Sequence, residues 1–122
     1  MGTTRLLNQT KSCEVASQVR VADSFFARAK GLLGESSLAS GSTLWIKGSR
    51  FVSCNSIHTW FMRFPIDAVF VDRSLKVRAV YRDLGPWRMT IPVLGAVSVF
   101  EFPAGTLAKC PVEVGDQLHV GD

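Results

Sequence analysis

The sequence is short of the residues from which most small catalytic centres are built. It has two histidines, His58 and His119, and nothing in the sequence links them. One histidine alone does not make a metal site. The three cysteines, Cys13, Cys54 and Cys110, are odd in number and widely spaced, with no Cys-x-x-Cys pair. A zinc ribbon and a thioredoxin-type motif are thereby excluded. With so few cysteines a disulfide framework is not expected, and all three read as small apolar residues in or near the core. Gly-x-Gly-x-x-Gly and Gly-Lys-Ser/Thr loops are absent, so no phosphate cradle is visible. A Gly-x-Ser-x-Gly nucleophile elbow is absent too. No metal and no cofactor is expected.

Long apolar runs are also missing. No stretch approaches a transmembrane helix, and no apolar run follows Met1-Gly2-Thr3-Thr4-Arg5-Leu6-Leu7 to make a signal peptide. Gly2 lacks the Ser or Thr that myristoylation needs, because position 6 is Leu6. A cytoplasmic location is the default, and a secreted or periplasmic one follows if a leader has been removed. There is no internal repeat and no low-complexity segment.

What is present is globular. Of 122 residues, 47% are apolar and 20% charged, which fits one domain spanning residues 1–122. The net charge is +4, but its basic residues are scattered and form no nucleic-acid arm. Thr4 to Asn8 and Cys13 to Val21 read as extended stretches. A helix is predicted after a cap at Asp23 or Ser24, with Phe25, Phe26, Ala29, Leu32 and Leu33 on one face and a stop at Gly34. Glu35 to Thr43 is a Ser/Gly-rich loop, and Leu44 to Lys47 a short strand.

Ala68, Val69, Phe70 and Val71 form an apolar strand interior that predicts burial on both faces. Lys76 to Arg82 alternates, so positions 67 to 82 predict a β-hairpin. Leu84 to Val93 carries Gly85, Pro86 and Pro92 and reads as a loop. Ala96 to Phe102 is a further strand, Gly105 to Cys110 a short helix, and Gln117 to Val120 a closing strand. The predicted fold is mainly β, a sandwich or partial barrel, mostly antiparallel, with one or two short helices.

Three ionisable residues are candidates for chemistry. His58 can exchange a proton near neutral pH or bond a ligand, or its ring can simply bond a backbone carbonyl. Asp67 opens an apolar strand and needs a partner if buried; it either fixes a ligand or bonds backbone N–H groups of the turn after Pro65. Glu101 lies between Phe100 and Phe102, and its strand pattern leaves its direction open. Cys54 with His58 gives a thiol–imidazole pairing of unfixed geometry. Trp45, Trp60 and Trp87 either fill the core or offer a stacking surface, and Trp87 stands out because it follows Gly85-Pro86 in a loop.

The segment His58-Thr59-Trp60-Phe61-Met62-Arg63-Phe64-Pro65-Ile66-Asp67, continuing through Ala68-Val69-Phe70-Val71-Asp72, resembles the signature of the family known as domain of unknown function 192. Arg28 to Gly34, Gly85-Pro86-Trp87, Glu101-Phe102-Pro103-Ala104-Gly105-Thr106 and Val114-Gly115-Asp116-Gln117-Leu118 resemble its other parts in order. The resemblance spans about residues 13–120. It implies a single β-rich domain and an accessory role linked to surface or pilus-assembly machinery, and it implies no reaction.

The first functional expectation is a ligand-, peptide- or partner-binding accessory module. Its pocket would be formed by the His58–Asp67 segment with Met62 and Arg63, the Trp87 loop and Glu101. The second is a small hydrolase or isomerase that uses His58 with Asp67 or Glu101. The third, ranked last, is nucleic-acid binding through the basic surface.

Overall fold

A computed structural model describes residues 4–22, 41–47, 57 and 64–121. The strands are β1 (Arg5–Asn8), β2 (Cys13–Ala16), β3 (Gln18–Ala22), β4 (Ser42–Lys47), β5 (Ile66–Val71), β6 (Val77–Leu84), β7 (Ser98–Pro103) and β8 (Leu118–Gly121). One short helix, α1 (Thr106–Lys109), follows β7. The helix predicted from Asp23 to Gly34 lies outside the described residues.

Two sheets result, ordered β2-β1-β8 and β3-β4-β7-β5-β6. Every pairing is antiparallel except β3 with β4. The expectation of a mainly β, mostly antiparallel fold holds. The single extended stretch expected from Cys13 to Val21 is instead two strands in different sheets. The chain breaks at Ser17, whose N–H and hydroxyl both donate to the Gly41 carbonyl, at 2.8 and 3.0 Å.

Alternation along the central strands makes two cores. On one face of the large sheet, Ile66, Ala68, Phe70 and Val99 cluster with Leu44, Ile46, Ile57, Phe64 and Ala96. On the other, Val69, Val71, Phe100 and Phe102 meet Leu6, Val15, Leu107 and Leu118. The second cluster joins the two sheets as a sandwich. Trp45 belongs there: its ring stacks on Phe100 at 5.0 Å, and its N–H donates to Ser98 Oγ at 3.0 Å.

The cysteine expectation is corrected. Cys13 and Cys110 form a disulfide across 97 residues, with Cα atoms 6.1 Å apart. It ties β2 to the segment after α1. Wide spacing along the chain does not prevent pairing when strand topology brings the ends together. Cys54 lies outside the described residues.

Candidate functional site

Asp67 takes its direction from the alternation of β5. Val69 and Val71 lie in the second core, and Asp67 shares their face, beneath α1. It is 2% exposed, so its oxygens need donors. Oδ1 accepts from the Asp83 N–H at 2.8 Å, and Oδ2 from the Gly105 and Leu107 N–H groups, each at 3.1 Å. The first donor exists because β6 bulges. Arg82 and Asp83 together oppose Asp67, between the pairs Ile66–Leu84 and Ala68–Tyr81. Asp83 takes a φ of 54°, and its N–H leaves the ladder for the carboxylate. The other donors open α1, which starts after Gly105 at φ 94°. Asp67 thus fastens a bulge and a helix start to β5. Its donors come from far along the chain rather than from the turn after Pro65.

Glu101 also lies within a central strand, β7, and is fully buried. Phe100 and Phe102 enter the second core while Val99 enters the first, so Glu101 shares the face of Val99. Its neighbours across the sheet are Leu44 and Ala68. Asp67 and Glu101 therefore leave the sheet on opposite sides and do not form a carboxylate pair. His58, Met62 and Arg63 lie outside the described residues.

Trp87 begins a different kind of surface. It is 61% exposed at a φ of 63°, a backbone region that bulky side chains rarely occupy. Met89, Ile91 and Leu94 follow at 63%, 74% and 94% exposure. The direction of these side chains is fixed by what lies between them. Thr90 is buried: its N–H donates to the Ile57 carbonyl at 2.9 Å, and its Oγ1 accepts from the Ile57 N–H at 2.9 Å. Val93 packs on the first core. Thr90 and Val93 hold the loop down while the other apolar side chains project. At the far end, Gly95 passes close to Arg78: a Cβ there would lie 3.3 Å from the guanidinium carbon.

Sequence reasoning named Trp87 as a candidate and did not name the exposed Met89, Ile91 and Leu94. The signal was alternate apolar residues in a Pro-bounded stretch. It also missed a polar clasp between the β1–β2 turn and residues 111–116. Asp116 is 5% exposed and Asn8 is fully buried. Asp116 Oδ2 accepts from Asn8 Nδ2 at 2.9 Å, Lys11 Nζ at 2.9 Å and the Glu113 N–H at 3.0 Å. Burial pushes the Asp116 pKa upward, but the Asn8, Glu113 and Lys11 donors outweigh it and hold the carboxyl below its ordinary value. Hydrogen bonds to Asp116 and Glu113 raise the Lys11 pKa.

Comparison with known proteins agrees with this fold. The UPF0127 protein of Thermococcus sibiricus is 34% identical over 113 residues, covering 93% of this chain and 72% of that protein. The UPF0127 protein of Pyrococcus horikoshii is 33% identical, covering 93% and 96%. A solved protein of unknown function from Novosphingobium aromaticivorans superimposes with a TM-score of 0.76 at 18% identity, covering 95% of this chain and 82% of that one. One from Sinorhizobium meliloti, provisionally named a transcription regulator, gives 0.75 at 19% identity, covering 96% and 91%. These two likenesses speak to the fold alone. The model of one family, DUF192, described as Uncharacterized ACR, matches residues 6–120, and the chain belongs to that family.

Proposed function

We propose that this protein is a binding module whose contact surface is the loop from Trp87 to Leu94. The observation that carries the reading is the projection of Met89, Ile91 and Leu94 into solvent, at 63%, 74% and 94% exposure, from a loop pinned by Thr90. Singly scattered exposed apolar residues need no explanation, but several large ones on a single pinned loop favour a partner that removes them from water. The partner chemistry is apolar and anionic, because the cations Arg78 and Arg88 accompany the ridge. Arg88 lies within it, and Arg78 lies against Gly95 beside Leu94. An accessory role at surface machinery would use such a contact. The Cys13–Cys110 disulfide supports an oxidising compartment, periplasmic or extracellular.

The test is selection of random displayed peptides on the immobilised, oxidised chain. Enriched peptides should combine apolar residues with Asp or Glu. They should lose binding to a Met89→Ser/Ile91→Ser/Leu94→Ser variant whose circular dichroism matches wild type. Peptides that bind this variant as well as wild type would refute the reading.

A further inference from the structure

We propose that the Trp87–Leu94 ridge seats the protein on the surface of an anionic lipid bilayer. The proposal rests on the contact surface described above and names what that surface meets. Shallow insertion needs apolar side chains that project, cations at the headgroup level, and no carboxylate carried inward.

The sequence from Leu84 to Phe100 meets these requirements. It contains no Asp or Glu, and its one cation is Arg88. Exposure rises along the ridge from 61% at Trp87 to 94% at Leu94, so the last side chain stands almost wholly in water. Arg78, with a side chain 48% exposed, lies against the backbone of Gly95, next to Leu94. A charge there sits beside the most exposed residue of the loop, within reach of lipid phosphates. Arg78 also pairs with Asp72 at 3.4 Å, and Asp72 takes further donors from the Ser74 and Lys76 N–H groups of its own turn. The exposed carboxylate on β6 is Asp83, whose N–H is turned inward to Asp67. The aromatic member, Trp87, suits the interface, where indole rings collect.

Two other occupants fit less well. A second copy of the chain, ridge against ridge, would press Arg78 and Arg88 toward their own counterparts. A folded protein partner requires a surface matched to this one in shape. An open depression among the described residues lies elsewhere, lined by Leu7, Asn8, Gln9, Ser12, Cys13 and Glu14. A bilayer imposes no shape.

The experiment uses the oxidised full chain and sedimented vesicles, one set of phosphatidylcholine with phosphatidylserine and one of phosphatidylcholine alone. Binding should be confined largely to the anionic set and should fall as salt rises. The Met89→Ser/Ile91→Ser/Leu94→Ser variant should bind about tenfold more weakly or worse, because the apolar contribution is removed. A Val114→Ser control, altering a 66% exposed apolar residue that is not part of the loop, should bind as wild type does. Absence of binding to anionic vesicles, or equal binding by the triple variant, would overturn the lipid proposal. If vesicle binding fails while loop-dependent peptides are enriched, the lipid inference alone falls. If both fail, the contact surface falls with it.

Discussion

Asp67 and Glu101 stand one register step apart on neighbouring strands and point to opposite faces of the same sheet. Asp67 lies across from Phe102, and Glu101 across from Ala68. Alternation then sends one carboxylate beneath α1 and the other into the core beside Leu44. An acid–base pair made from these two is geometrically closed. Replacing both together should therefore cost the sum of the single replacements. For Asp67→Asn and Glu101→Gln, unfolding in urea should show additivity to within about 0.5 kcal/mol. A larger coupling would mean that the two groups communicate through the sheet.

Asp67 itself is an anchor for backbone N–H groups. Asp67→Ala strands three donors, of Asp83, Gly105 and Leu107. The expected loss is about 2–4 kcal/mol of stability, read from the urea midpoint. Hydrogen exchange should quicken most at those amides. Uniform quickening across the sheet with no preference for them would contradict the assignment.

The sequence made part of this arrangement readable. The run from Ala68 to Val71 and the alternation from Lys76 to Arg82 specify a buried strand and its hairpin partner, because side-chain period follows directly from burial. The direction of Glu101 was not readable, since Val99 and Phe100 are both apolar and mark no preferred face. The break at Ser17 was hidden for a similar reason: Val15, Val19 and Val21 keep alternating while the chain changes sheet. The donors to Asp67 come from residues 16 to 40 positions away, which no local pattern reports.

The disulfide is the clearest case of long-range information. Reducing Cys13–Cys110, which spans 97 residues, should lower stability by about 2–4 kcal/mol. Thermal melts with and without reductant give the number, and peptide mapping of the unreduced chain should recover the Cys13 and Cys110 peptides joined. An unchanged melting temperature after complete reduction would remove its structural role. The Cys13→Ser/Cys110→Ser double variant should match the reduced protein.

Acid should loosen the clasp at Asn8 and Asp116. The folded Asp116 pKa lies below its unfolded value, so its contribution is present in full above about pH 4 and is lost as pH falls through the depressed value. Asp116→Asn should cost about 2 kcal/mol at neutral pH, with the gap to wild type narrowing as the solution is acidified below pH about 4. Asn8→Ala removes a leading donor and should raise the Asp116 pKa, moving the acid-labile range upward. Stability curves of the two proteins that stay parallel from neutral pH into acid would show that Asp116 carries no such linkage.

Met89 offers a built-in reporter of the contact surface. At 63% exposure, it should be oxidised by peroxide in the free folded chain nearly as fast as in the unfolded chain. The decisive measurement is its oxidation rate by mass spectrometry, with the folded protein free and then bound to a peptide enriched by display selection. The contact surface described here predicts strong protection of Met89 in the bound state. An oxidation rate at Met89 that binding leaves unchanged would contradict it.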